Sequence, residues 1–228
     1  MSQVDHELDK KIPFRVDRID VYHDFTAFWI RSLGFLREEL GEGTTDAVRD
    51  FLDSMSALYR FAAEVYQKNL STTIRPLYLR RPGFILIHIL DPHLMCIPSL
   101  HMMVVIRTYT KFAAILRSLG EEEHYAPQIA ELKKGALDIT EAILYVKQHS
   151  VNCIAASMYA MTCFDGELFP PSEAEDFVSR LFTEPADQQD GEIIKNYIVN
   201  LYRHFLSERP AGEAWDMPLI NFLRSRQR

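Results

Sequence analysis

Apolar residues recur at helical spacing along most of this chain, and this periodicity constrains the fold more than any other feature. From Ile19 to Leu36 large apolar side chains follow the 3.6-residue period, and Gly41 ends the run. Thr44 or Thr45 then begins a second run that continues to about Asn69. The pattern predicts an all-α fold.

Later segments show the same period. They predict helices over residues 102–119, 125–146, 151–164, 193–206 and 218–228, with a break near residues 147–150 and a short apolar piece at 84–90. Ser172, with Glu175 three residues on, predicts a capping box, and residues 183–191 predict a polar loop. No repeat or domain boundary interrupts the chain. We therefore expect a single all-helical domain, a helical bundle, over residues 1–228.

Composition and charge limit the classes of function that this chain can have. The 228 residues are 47% hydrophobic and 25% charged, which is typical of a globular domain with a full core. The net charge of −7 argues against a nucleic-acid partner and gives no large basic field for anionic lipid. A phosphate site in this chain therefore has to be a local basic pocket.

The apolar segments at residues 84–116 and 142–164 are interrupted by charged residues and histidines, so neither predicts a membrane span. Membrane contact is expected to be peripheral at most. The N-terminal stretch Met1–Glu7 is polar and acidic, unlike a signal peptide. The 3 cysteines have no paired spacing, which favours a reducing compartment. These observations predict a cytoplasmic location.

Three polar motifs stand among the apolar segments. The first is Lys68, six further residues, and then Arg75-Pro76. The second is the turn Pro98-Ser99-Leu100-His101, which reads as a helix start that places a hydroxyl, backbone N–H groups and an imidazole at one point. The third is Lys147-Gln148-His149. Together they offer the donors that an anion requires.

In order and spacing, these motifs resemble the signatures of the type 2 phosphatidic acid phosphatase and vanadium haloperoxidase superfamily. Those signatures run Lys-x6-Arg-Pro, Pro-Ser-Gly-His and Ser-Arg-x5-His-x3-Asp, and the resemblance covers residues 68–153. Leu100 replaces the glycine, as in the inositol-phosphorylceramide synthase branch. Ile143 replaces the arginine and Cys153 the aspartate of the third motif. The resemblance implies the helical core of that superfamily.

The resemblance also implies a reaction, metal-independent hydrolysis or transfer of a phosphoryl group. His149 would attack phosphorus and form a phosphohistidine, and His101 would protonate the leaving oxygen. The phosphate oxygens would be held by Lys68, Arg75, Ser99, the Leu100 N–H and Lys147. No cofactor is implied, and phosphate or vanadate is the expected occupant. Phosphomonoesters or diphosphates are the expected substrates, in a phosphorylated small molecule or a lipid-like phosphate.

The replacement at Cys153 affects the residue that would orient His149. A thiolate could act electrostatically in place of the aspartate, or another carboxylate, Asp91 or Asp165, could reach the ring. The candidate substitutes for the missing arginine are Lys147, Arg80, Arg81 and Arg107.

Other functions are compatible with the same motifs. A degenerate member of the superfamily would bind a phosphorylated ligand or partner without turning it over. Haloperoxidase chemistry is less expected, because it uses a richer basic cradle. Each residue also has a purely structural interpretation: Lys68 as a helix-end cation, Ser99 as an N-cap and Cys153 as a small core residue.

Overall fold

Nine α-helices make up most of a computed structural model that describes residues 1–91, 94–184, 188–209 and 212–227, with the side chains of residues 188 and 189 excepted. The protein is one mostly helical domain, as the periodicity predicts. The helices are α1 (Ile19–Leu40), α2 (Thr45–Lys68), α3 (Pro82–Leu90), α4 (Leu100–Leu119), α5 (Ala126–Tyr145), α6 (Val151–Phe164), α7 (Pro171–Ser179), α8 (Gln188–Ser207) and α9 (Met217–Ser225).

Helices α4 and α6 form the centre of the molecule. Nearly every side chain from Met102 to Phe112 is buried, and so is every side chain from Val151 to Met161. A helix that is apolar on all sides is stable only when other elements surround it. Helices α1, α2, α5 and α6 pack against α4, and α8 packs against α6. The motif turn at the start of α4 is therefore held deep in the core.

The predicted break between α5 and α6 is confirmed. Lys147 has φ of 58°, in the left-handed region that side-chain-bearing residues rarely adopt. The backbone N–H groups of Gln148 and His149 both return to the carbonyl of Ile143, and Ser150 caps α6. This compact turn places His149 between two buried helices.

A short β-pair corrects the all-α prediction. Strand β1 (Ser2–Gln3) pairs in parallel with β2 (Ser71–Thr72), with Ser2 opposite Ser71. Two residues are too few to produce a periodic pattern in the sequence. The pairing anchors the N-terminal segment beside the chain that leads from Lys68 to Arg75.

Two boundary predictions are wrong. Helix α7 begins at Pro171 with Pro170 as its N-cap, so Ser172 lies inside the helix and does not cap it. Proline is preorganised for the first helical position, and here it displaces the serine from the cap. Helix α8 begins at Gln188, within the stretch predicted as a loop; residues 185–187 of that stretch lie outside the described residues.

None of the helices in the described part of the chain has the length and apolar character needed to cross a membrane.

Candidate functional site

Ser99, His101 and His149 meet at the start of α4. The Nε2 atom of His149 lies 3.2 Å from the Ser99 Oγ and 3.4 Å from the His101 Nδ1. Ser99 is fully buried and His149 is 6% exposed. The structure thus brings together three of the residues that the sequence singles out, although they lie up to 50 positions apart in the chain.

The turn before α4 is fixed by three contacts. The Ser99 side chain caps α4 by accepting from the Met102 N–H, and the Ser99 N–H donates to the Ser157 hydroxyl at 2.7 Å. The Tyr66 hydroxyl donates to the carbonyl of Pro98 at 2.5 Å. Because all three partners are buried or partly buried, Ser99 and His101 have little freedom to move.

Tyr22 links His101 to a carboxylate. Its hydroxyl donates to Asp91 at 2.8 Å and lies 3.0 Å from the Nε2 atom of His101. Arg75 donates to the same oxygen of Asp91 at 3.2 Å, with only 5% of its side chain exposed. Arg75 is therefore a nearly buried cation that is connected to His101 through Asp91 and Tyr22.

These contacts define the tautomers when Asp91 is ionised. The single Tyr22 proton goes to Asp91, so the Nε2 atom of His101 must be the donor to the Tyr22 oxygen. In a neutral ring the Nδ1 atom of His101 is then an acceptor, and the Nε2 atom of His149 donates to it. A continuous hydrogen-bonded chain runs from His149 through His101 and Tyr22 to Asp91.

Both histidines are neutral near pH 7. Burial lowers the pKa of His101 to about 4, although Asp91 opposes the shift and Arg75 adds to it. Burial also lowers the pKa of His149 well below its ordinary value, and His101 and Arg75 act in the same direction. A neutral imidazole carries a free lone pair, which a nucleophile requires.

The other nitrogen of His149, Nδ1, is buried at the site and is hydrogen-bonded to none of the described residues. The backbone of Cys96 lies near enough to favour a proton on the ring, yet the buried Nδ1 atom forms no hydrogen bond of normal geometry to a described residue. The Nε atom of Arg75 is also buried without a hydrogen bond to a described residue. Buried polar atoms of this kind are uncommon and often mark functional sites.

A cavity of about 250 Å³ opens beside His101. Its lining is mostly apolar, and His101 and Asp91 lie at one side; the other lining residues are Tyr22, His23, Phe25, Leu86, Ile87 and Leu90. Two larger cavities, of about 480 and 500 Å³, have neither His101 nor His149 in their walls. Of these three cavities, the smallest is the one that reaches His101.

Three of the residues predicted for the site are engaged by other groups. Lys68 forms an ion pair with the fully buried Asp216. The Lys147 ammonium donates to the backbone carbonyls of Asp9 and Ile12. The Cys153 thiol accepts from the Ser150 N–H, and burial raises its pKa well above the ordinary value, so it is a neutral thiol.

The remaining candidates lie in different parts of the structure. Leu100 is the first residue of α4, next to Ser99, so its backbone N–H lies at the helix N-terminus. Arg107 forms an ion pair with Asp165, which accounts for both as structural residues. Arg80 and Arg81 are exposed on the surface. Of the two alternative carboxylates, Asp91 belongs to the site.

The sequence gives Tyr22 no polar role, because the residue falls within the periodic apolar run from Ile19 to Leu36 and is expected on the core face of α1. That placement is correct, since Tyr22 is 2% exposed. A buried tyrosine usually finds a partner for its hydroxyl, and this is the only signal in the sequence that pointed to a polar role.

Comparison with known proteins gives no relative: no family model, no curated protein and no solved structure matches the chain.

Proposed function

We propose that this protein is a metal-independent phosphatase or phosphotransferase that acts on phosphomonoesters or diphosphates through a phosphohistidine on His149. The observation that carries the proposal is the convergence of His149, His101 and Ser99, with the buried Arg75 connected to His101 through Asp91 and Tyr22. Phosphoryl transfer needs a nucleophile, a proton donor and fixed positive charge around the phosphate, and this cluster offers all three. We also propose that the helices form the core that is typical of the superfamily whose motifs this sequence resembles.

The first step would begin with a phosphate monoanion between the two histidines. The anion replaces the hydrogen bond between the rings and passes its proton to His101, which its charge makes more basic. The His149 proton moves from Nε2 to Nδ1 by exchange with water. The Nε2 lone pair then attacks phosphorus, the bond from phosphorus to the leaving oxygen breaks, and His101 protonates that oxygen.

The second step would return the protein to its starting state. His101, now neutral, removes a proton from water as the water oxygen attacks the phosphohistidine. The N–P bond breaks, His101 passes the proton to the departing phosphate, which leaves as the monoanion, and the His149 proton returns from Nδ1 to Nε2 by exchange with water. Ser99 and the Leu100 N–H would donate to the equatorial oxygens, and the Arg75 charge would stabilise the transition state.

The mostly apolar cavity beside His101 supports a leaving group with an apolar part. A phosphorylated small molecule with a hydrophobic moiety and a lipid-like phosphate both fit this description.

Hydrolysis of an aryl phosphate in the presence of a chelator tests the proposal. We expect turnover in the wild type, a loss of at least about a hundredfold in His149→Ala and in His101→Ala, and no change in His204→Ala, which alters an exposed histidine of α8. A phosphorylated substrate labelled on phosphorus should leave acid-labile label on the wild type and on His204→Ala, but not on His149→Ala. Unchanged hydrolysis in both His149→Ala and His101→Ala would exclude the mechanism.

A second candidate function has one observation in its favour. The Nδ1 atom of His149 forms no hydrogen bond to a described residue, whereas a catalytic histidine is usually oriented through its second nitrogen. A protein that binds a phosphorylated ligand without turnover would account for this. Calorimetric binding of vanadate that depends on Arg75, without hydrolysis or labelled protein, would favour this function over the first.

A further inference from the structure

Helix α3 exposes most of its apolar side chains to solvent. Of its nine residues only Phe84 and Ile87 are buried. Ile89 is 73% exposed and Leu90 67%, and Ile85 and Leu86 are also exposed. A helix on a water-facing surface usually carries polar side chains at such positions. Helix α3 is apolar on both its inner and its outer faces.

The exposed apolar surface extends beyond the helix on both sides. In the preceding segment Ile74 is 70% exposed, Leu77 78% and Leu79 56%. Leu94 and Met95, which follow the helix, are exposed as well. We call the exposed apolar residues of 74–95, with Arg80 and Arg81, the α3 surface. Many exposed apolar side chains in one stretch of chain indicate an interaction site.

The charge of the α3 surface is opposite to that of the whole chain. Arg80 and Arg81 are exposed directly before α3, and neither forms an ion pair with any residue that the structure describes. No Asp or Glu occurs from residue 70 to residue 90, and Asp91 is paired with Arg75. The net charge of the chain is −7. A membrane that contains anionic lipid has an apolar layer beneath negatively charged headgroups. Two arginines beside a large apolar surface are complementary to it in both polarity and charge.

We propose that the α3 surface binds the interfacial layer of a membrane that contains anionic lipid, with α3 lying in the plane of the membrane. Nine residues span about 14 Å as a helix, less than half the thickness of a hydrocarbon core, so α3 lies on the bilayer and does not cross it. A second copy of the chain fits less well, because the α3 surface has no acidic side chain to receive Arg80 and Arg81 of the other copy.

The α3 surface adjoins the cavity beside His101. Leu86 and Leu90 line that cavity and are also exposed on the α3 surface. Membrane binding would therefore place the cavity mouth at the lipid headgroups. The inference itself rests on the exposed apolar area and the two arginines, and it does not depend on the proposed function.

Co-sedimentation of the full chain with lipid vesicles tests the inference. We expect binding to vesicles of phosphatidylcholine mixed with phosphatidylglycerol, weaker binding to phosphatidylcholine alone, and a decrease with added salt. Ile89→Asp and Leu77→Asp should each weaken binding at least about tenfold, because a charge replaces an inserted apolar side chain. Ile193→Asp, on α8, alters a side chain that is 52% exposed and should leave binding unchanged.

The arginines have their own comparison. Arg80→Ala combined with Arg81→Ala should weaken binding to the anionic vesicles about twentyfold and leave binding to neutral vesicles unchanged. The control is Arg49→Ala combined with Arg117→Ala, which removes two positive charges outside the α3 surface and should leave vesicle binding unchanged. Absence of vesicle binding, or binding that Ile89→Asp and Leu77→Asp do not weaken, would overturn the inference. A dimer in solution that Ile89→Asp dissociates, without vesicle binding, would do so as well.

The two proposals can fail separately. Ile89 and Leu77 lie outside the lining of the cavity, so both variants should hydrolyse a soluble aryl phosphate without vesicles at the wild-type rate. His149→Ala should bind vesicles like the wild type. Vesicle binding without hydrolysis refutes the enzyme proposal only, and hydrolysis without vesicle binding refutes the membrane inference only.

Discussion

The hydroxyl of Tyr22 lies 3.0 Å from the Nε2 atom of His101. Tyr22 belongs to α1 and His101 to α4, so this contact joins the first helix of the chain to the motif turn. Through it the ring of His101 is connected to Asp91. In many sites a histidine is oriented by a carboxylate; here a phenol stands between the two groups.

Tyr22→Phe should therefore impair the site and keep the fold. The variant retains the aromatic ring. However, the His101 Nε2–H loses its hydrogen-bond acceptor, and Asp91 loses the Tyr22 donor and keeps only its ion pair with Arg75. We expect aryl phosphate hydrolysis to fall about tenfold or more, with stability reduced by about 1 kcal/mol. The acidic limb of the pH–rate profile should also move, because the partner of His101 has changed.

Tyr59→Phe is the control for Tyr22→Phe, since Tyr59 is 46% exposed on α2. It should match the wild type in rate and pH profile. If Tyr22→Phe loses stability but keeps both the rate and the pH profile, Tyr22 has only a structural role.

The stability of the fold should depend on the charge state of His101. An unfolded histidine takes up a proton near pH 6.5, but folded His101 does so only near pH 4. The unfolded state thus binds more protons between these values, so stability is full above about pH 6.5 and is lost as the pH falls toward 4. We expect His101 alone to account for a loss of about 2 kcal/mol between pH 7 and pH 5.

Urea unfolding at pH 7 and at pH 5 measures this loss. His101→Asn, which cannot titrate, should show a decrease smaller than the wild type's by about 2 kcal/mol. His204→Asn, at an exposed position, should keep the wild-type decrease. Equal decreases in all three proteins would contradict the prediction.

Lys68 should matter for stability through Asp216. Asp216 is fully buried, and Lys68 is its ion-pair partner. Lys68→Met leaves a buried carboxylate without a cation and should cost about 3 kcal/mol in the free energy of unfolding. The double variant with Asp216→Asn should recover most of that loss. Lys10→Met breaks an exposed ion pair with Glu7 and should cost less than about 1 kcal/mol.

The same double variant separates two roles of Lys68. We expect it to hydrolyse aryl phosphate within about threefold of the wild type, because Lys68 already has a structural partner. A folded double variant without activity would assign Lys68 to the phosphate.

Cys153→Ala should leave catalysis nearly unchanged. The Cys153 thiol is neutral and is hydrogen-bonded to the Ser150 N–H, so it does not supply the negative charge that would orient His149. We expect hydrolysis within about threefold of the wild type and a stability loss of about 1 kcal/mol from the small cavity. A loss of a hundredfold in steady-state turnover would show that the sulfur acts on His149 directly.

The helices were predictable because burial of one face imposes a period on the sequence. Helix α1 and the break at Lys147 illustrate this, since one follows from apolar spacing and the other from a polar interruption of an apolar run. The pairing of Ser2 with Ser71 was not predictable. Each strand has only two residues, which pair through backbone hydrogen bonds and are too few to show an alternating side-chain pattern.

The site was predictable only in part. Ser99, His101 and His149 could be named because their residue types and order carry chemistry. The partner of Lys68 could not, since Asp216 lies 148 positions further along the chain and nothing local specifies the pairing. The role of Tyr22 depends on how α1 packs against α4, which periodicity does not determine.

The pairing of Ser2 with Ser71 also bears on the order in which the molecule can assemble. The Ser2 hydroxyl donates to the carbonyl of Leu223 at 2.5 Å, and the Asp9 carboxylate accepts from the Val151 N–H at 2.9 Å. The segment that contains Ser71 is therefore in contact with residues from both ends of the chain, and those contacts can form only after residue 223 has been synthesised. Residues 68–153 excised as a fragment would lack these contacts, so we expect that the fragment does not fold on its own.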